Sequence, residues 1–458
     1  MAKTQSNNAQ KTPVADTAIY DARQLGTPKM LVLGLQHMFA MFGATVLVPI
    51  LTGLDVSATL LFAGLGTLLF HLLTKGKVPA FLGSSFAFLG AYGTIAPMLE
   101  GDVPNTTMIP YACLGVACAG LVYVLLAALI KWLGAKRVMR FFPPIVTGPI
   151  IICIGMTLAN SAINNCQENW WIALVAIVVV IVCNIWGKGM IKIVPILLGV
   201  LVSYVVAAVT GNVDFTLLKE AKWIGLPFVE NNTVFHLIGK ADAGLILTSI
   251  LTIVPYSLAT VVEHVGDMCA ISSTVERNYI ADPGLHRSLL GDGLATTLAS
   301  LFGAPANTTY GENTGVLALT KVYDPRVIRI AACFAVLFSF SPKFAALVRC
   351  MPAATIGGVS LILYGMISAV GVRNVVENQV DFTKSRNVII AALIMSLTLG
   401  ISFSSLGGII FHIGEINIKL SGLAVAAIVG IVVNAILPGN DYEFGKNELG
   451  DKAVNFKV

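Results

Sequence analysis

Apolar residues run along this chain in blocks of about 20, the length that crosses roughly 30 Å of hydrocarbon as a helix. About fourteen blocks are legible. They lie at 30–52, 57–74, 79–98, 109–131, 141–161, 170–187, 191–210, 245–272, 287–303, 305–322, 326–349, 352–372, 386–403 and 420–438. The pattern predicts an all-α polytopic membrane protein. The longest polar interruption, 211–242, separates seven blocks from seven. An odd number per half places the halves in opposite orientation, a 7+7 inverted repeat. Such repeats hold their ligand at the interface between the halves, near the bilayer midplane.

Two blocks in corresponding positions open badly for a helix. The third begins Val78-Pro79-Ala80-Phe81-Leu82-Gly83-Ser84-Ser85-Phe86, and the tenth begins Gly303-Ala304-Pro305-Ala306-Asn307-Thr308-Thr309-Tyr310-Gly311. Pro, Gly and hydroxylated residues are poor helix formers. Each opening is read as a short extended stretch leading into a half-helix. Irregular backbone at membrane depth survives only inside protein or beside a cavity, so these two segments point to the site.

Composition supports the membrane reading: 56% of residues are hydrophobic and 12% charged. The polar tail before about Pro28 lacks the apolar core of a cleavable signal, so the first block is expected to be a true span. Lys75 and Lys77, then Lys131, Lys136, Arg137 and Arg140, then Lys188 and Lys192 fall in alternate loops. Lys321, Arg326, Arg329, Arg373, Lys384 and Arg386 continue that pattern. The positive-inside rule then puts both termini in the cytoplasm. Lys343 and Arg349 run against it. The eight cysteines are scattered without metal-ligand spacing, so no metal is expected. No phosphate loop, dinucleotide fingerprint or nucleophile–base pair is visible. The sequence gives no sign of a nucleotide-driven pump and leaves a membrane enzyme without support; no cofactor and no nucleic-acid partner is expected.

The chemistry is expected from a few polar residues in apolar surroundings, where an ionisable group is a functional candidate by default. Glu263 and Asp267 stand at i and i+4 on one helix face, and the run before them, 251–262, is largely apolar. For Asp267 the plainer alternative is a helix-end charge in the interface. Glu312 follows Gly311 where a half-helix begins, and free N–H groups there accept oxygens. Carboxylates beside such N–H groups suit a planar heterocycle offering both ring N–H and carbonyl groups, stacked on Phe86 or Tyr310. An anionic ligand would want Arg or Lys, and the broken segments have none. His37, in the first block, is either a site residue or a hydrogen-bonded structural histidine.

At these residues the chain resembles the nucleobase–ascorbate transporter (nucleobase–cation symporter 2) family, and within it the bacterial uracil permeases. The matching stretches are QHMFAMFGATVLVP at 36–49, KVPAFLGSSFAF at 77–88, EHVG at 263–266, DPGLHRS at 282–288 and NTTYGENTGV at 307–316. The resemblance runs from about Gly34 to Leu437. It implies a core domain (29–138 and 243–350), a gate domain (139–211 and 351–438), a connection at 212–242 and tails at 1–28 and 439–458. It also implies proton-coupled uptake of uracil across the inner (plasma) membrane, an elevator-like motion and a homodimer. The family's binding residues map onto Glu263, Glu312, and the Gly311 and Phe86 backbones, with Ala44 and Tyr310 close by. Glu263, Asp267 and His37 are implied in proton coupling. Xanthine and urate members usually carry Gln where this chain has Glu312. Uracil permeases of this type can carry histidine where this chain has Asp267, and purine-transporting relatives often carry aspartate there. The alternatives are a purine-base:proton symporter and an uncoupled nucleobase facilitator; an anion transporter on the same fold is disfavoured by the missing basic residue.

Overall fold

The computed structural model describes residues 18–99, 103–413, 416–440 and 442, without the side chains of Ala44, Glu312 and a few others. Sixteen helices of seven or more residues are seen among them. They are α1 (Thr27–Thr52), α2 (Val56–Leu73), α3 (Leu89–Ile95), α4 (Ile109–Leu133), α5 (Pro144–Gln167), α6 (Trp170–Ile185), α7 (Pro195–Val209) and α8 (Ala243–Ile253). In the second half come α9 (Tyr256–Val275), α10 (Leu285–Leu301), α11 (Gly311–Thr320), α12 (Pro325–Ser339), α13 (Pro342–Arg349), α14 (Ala353–Glu377), α15 (Ser385–Ser402) and α16 (Gly422–Ile436). Caps mark several starts: the Asp55 carboxylate accepts from Ala58 N–H at 2.8 Å, and that of Asp242 from Leu245 N–H at 2.9 Å.

Among the described residues, seven helical segments are long and apolar enough to cross a membrane by themselves: α1, α2, α4, α5, α8 with α9, α14 and α15. Four others are apolar but shorter. This is a multi-pass helical membrane protein. Several segments inside it are shorter and more polar than a lipid-facing helix, because neighbouring protein rather than lipid satisfies their polar groups. Helix α10 is an example, burying Ser288, Asp292, Thr296 and Ser300.

Three features depart from the sequence expectation. The block at 245–272 holds two helices, α8 and α9, meeting at Val254-Pro255, because proline cannot donate to the helical ladder. The block at 326–349 bends by 87° between α12 and α13, with Pro342 starting the second piece. Strands β3 (Ile409–Ile413) and β4 (Ile416–Leu420) form an antiparallel hairpin in a stretch expected to be loop. Thr252 of α8 donates to Lys419 O of that hairpin at 3.0 Å.

The helices pack in two groups. In one, α2 lies against α10 and α12, α4 against α8 and α10, and α1 against α12. In the other, α14 lies against α5 and α6, α6 against α7, and α15 against α5 and α16. Helix α9 touches both, through α11 in the first group and α5 and α16 in the second.

The end of the N-terminal tail is tied down. Ala22 N–H donates to Asp324 Oδ2 at 2.7 Å, and Arg326 pairs with Asp21 at 2.9 Å. The Arg277 guanidinium lies 4.2 Å from the Tyr20 ring centroid. The Arg23 guanidinium beside Asp21 holds that carboxyl well below the usual carboxylate range. The two cations that oppose the charge pattern also have partners: Arg349 pairs with Asp55 at 3.1 Å, and Lys343 Nζ lies 5.2 Å from the Trp223 ring.

Candidate functional site

The site is built where two short strands meet. Strand β1 (Leu82–Ser84) and β2 (Asn307–Thr309) pair antiparallel, with Leu82 opposite Thr309, Gly83 opposite Thr308 and Ser84 opposite Asn307. The pairing extends one bond at each end, from Ser85 N–H to Ala306 O at 2.8 Å and from Tyr310 N–H to Phe81 O at 3.1 Å. All six strand residues are buried. Each strand runs into helix. Beyond β1 the Phe86–Phe88 turn enters α3, and beyond β2 helix α11 starts at Gly311. Two helix N-termini with free N–H groups thus lie beside one buried strand pair.

Helix α9 packs against α11 and β2. Glu263, Gly266 and Asp267 share one of its faces, and both carboxylate residues are half-buried. A methyl group added at Gly266, Gly311 or Gly315 would meet nothing within 4 Å. The acidic face of α9 and the first turns of α11 therefore border open space. Asp267 is not at a helix end: α9 continues to Val275, and Asp267 Oδ2 accepts from the Thr309 hydroxyl at 2.7 Å.

The structure gives Tyr310 a different surrounding from the stacking surface expected of it. Its hydroxyl donates to Ser84 O at 2.8 Å, and its ring packs where a Cβ on Gly83 would have to be. Phe86 is buried in the core beside the strand pair. Its ring lies 6.0 Å from that of Tyr364 on α14, at 74°. His37 is fully buried; Asn313 of α11 donates to its carbonyl at 3.0 Å and lies 3.2 Å from its Nδ1. The side chains of Ala44 and Glu312 lie outside the described ones; Glu312 is the second residue of α11.

Four features of this region had no role assigned to them from sequence. Thr309, Asn313 and Tyr364 are ordinary residue types whose partners lie far along the chain. The fourth is a buried pair: His264 Nδ1 stands 2.9 Å from Asp292 Oδ2, and its Nε2 3.0 Å from Ser288 Oγ. An Asp in the middle of the 287–303 block was the available signal. Among the described residues no group of three or more His, Cys, Asp or Glu could hold a metal.

The profile of a permease family matches residues 28–407. A uracil permease of Bacillus caldolyticus is 42% identical over 441 residues, covering 93% of this chain and 95% of the relative. A uracil permease of Escherichia coli (strain K12) is 38% identical, covering 88% and 90%. Among solved structures, the transmembrane domain of the cyanobacterium bicarbonate transporter BicA matches 92% of this chain and 99% of its own, with a TM-score of 0.57 at 14% identity. That likeness concerns the fold. With its broken helices meeting at a polar, open site and its close permease relatives, the chain belongs to the nucleobase–ascorbate transporter family of membrane permeases, not to an enzyme family.

Proposed function

We propose that the protein imports uracil with protons across the inner (plasma) membrane. The observation that carries this reading is the acidic face of α9, with Glu263 and Asp267, beside the N-terminus of α11 and bordering open space. Uracil is neutral and planar, and offers ring N–H donors and carbonyl acceptors. Carboxylates of Glu263 and Glu312 take the N–H groups. The N–H groups of Gly311 and of the Phe86 turn take the carbonyls, as free amides at a helix start do. The likeness to uracil permeases supports the choice of base.

Coupling follows from charge. A bare carboxylate is costly to carry through a low-dielectric barrier. A protonated Glu263 beside neutral uracil crosses with no uncompensated charge, and Asp267 and His37 tune it. The group of α1–α4 and α8–α13 acts as the moving core, and that of α5–α7 and α14–α16 as the gate. In this reading the chain crosses the membrane fourteen times as two inverted halves, moves in an elevator-like manner within a homodimer, and keeps both termini in the cytoplasm.

Uptake of radiolabelled uracil into proteoliposomes, with excess unlabelled xanthine and with a proton uncoupler, tests this. The expected result is uphill uptake that xanthine does not reduce and the uncoupler abolishes. Competition by xanthine would turn the reading to a purine base, and indifference to the uncoupler to a facilitator.

A further inference from the structure

Strands β1 and β2 are three residues long and lie deep in protein. In an antiparallel pair alternate residues turn their N–H and C=O away from the partner strand. Such groups must find another partner when buried. Two threonines supply it. Thr67 of α2 accepts from Leu82 N–H at 2.9 Å; its own hydrogen goes to Ala63 O at 2.7 Å, with Leu82 O further off at 3.3 Å. Thr296 of α10 accepts from Asn307 N–H at 3.2 Å and donates to Asn307 O at 3.0 Å.

The two N–H contacts are equivalent. Leu82 precedes Gly83, and Asn307 precedes Thr308, the residues opposite one another at the centre of the pair. The local two-fold of the strand pair therefore exchanges Leu82 with Asn307, and Thr67 with Thr296. It also exchanges Gly66 with Ala295, and these two approach each other: a Cβ on Gly66 would lie 3.2 Å from that of Ala295. It would also lie 2.3 Å from Asn307 Nδ2, whose amide donates to Phe62 O at 3.1 Å. Helices α2 and α10 thus cross at this point, each holding one strand by a hydroxyl. Both threonines are buried.

We propose that Thr67 and Thr296 are paired positioning residues for the substrate. Neither touches the open site. Each fixes one strand, and a few residues further on that strand delivers its helix start, the Phe86 turn or Gly311. Valine at either place keeps the shape but leaves a buried strand N–H without its acceptor, and at Thr296 the Asn307 C=O without its donor, so the strand shifts to find a partner. Serine keeps the hydroxyl.

The inference rests on uracil as the ligand, and the test separates the two. Uracil affinity is measured by calorimetry on purified Thr67→Val, Thr67→Ser, Thr296→Val and Thr296→Ser, with thermal melting alongside. The expected result is a Kd raised at least tenfold in each valine variant and within threefold of the parent in each serine variant. A merely structural role lowers the melting midpoint and leaves the Kd of the folded protein unchanged. Valine variants binding within threefold of the parent overturn the proposal, as do serine variants that lose as much as valine. Thr67→Ala and Thr296→Ala, which add no bulk, are measured in the same way should valine prevent folding. A parent that binds no uracil refutes the substrate reading alone. Amide hydrogen exchange at Leu82 and Asn307 then decides: faster in the valine but not the serine variants supports the pair, and unchanged exchange defeats it.

Discussion

The Thr309 hydroxyl donates to Asp267 Oδ2 at 2.7 Å, joining the strand that leads into α11 to the acidic face of α9. Asp267 therefore lies against the strand pair, one helical turn from Glu263. Two carboxylates that close do not both ionise cheaply. Asp267→Asn is expected to shift the pH dependence of uracil uptake while leaving affinity within about tenfold, since one neutral hydrogen bond is worth about 0.5–1.5 kcal/mol. Asp267→His, the residue that resembling permeases can carry, is expected to retain transport. A pH profile of the asparagine variant that overlays the parent's would remove Asp267 from coupling.

Glu312 follows the first residue of α11, and its carboxylate is assigned to a ring N–H of uracil. Glutamine there removes the charge and presents an amide that cannot serve equally well as acceptor. A hydrogen bond to a charged group is worth about 1.5–3 kcal/mol. Uracil affinity of purified Glu312→Gln is expected to fall by about tenfold to a hundredfold. Unchanged affinity would falsify this assignment.

Glu263 is assigned the transported proton. Glu263→Gln cannot take up or release one, so uphill accumulation of uracil is expected to disappear. Proteoliposomes with an imposed pH gradient measure it. If the variant still concentrates uracil, and the uncoupler still collapses that gradient, the proton resides on another group.

His264 and Asp292 make a fully buried pair at 2.9 Å. Removing one member of such a pair strands the other and costs about 3–5 kcal/mol, whereas replacing both with apolar residues is often neutral. Asp292→Ala is expected to melt several degrees below the parent, and His264→Leu with Asp292→Leu to recover much of that loss. Thermal unfolding in detergent gives the comparison; a single variant as stable as the parent would show that the pair contributes little.

Much of this protein was legible along the chain because a bilayer imposes a length and a composition on whatever crosses it. The two broken segments were legible for a local reason: Pro, Gly and threonine resist helix, and both openings carry them. Glu263 and Glu312 stood out because a carboxylate is rare in apolar sequence. The tertiary structure alone decided what their neighbours Asp267 and Tyr310 face. Asp267 could be a helix-end charge until α9 ran on to Val275 and Thr309 reached it from 42 residues away. Tyr310 could be a stacking surface until its hydroxyl was found on Ser84 O, 226 residues distant. Asp292 was visible as a charge in the block at 287–303, but its meeting with His264 was not. The bend before Pro342 and the β3–β4 hairpin were missed because an apolar count is blind to direction. Local composition dictates which conformations a segment can adopt, but a hydrogen-bond partner brought from the other half of the chain is a property of packing, and only the folded molecule contains it.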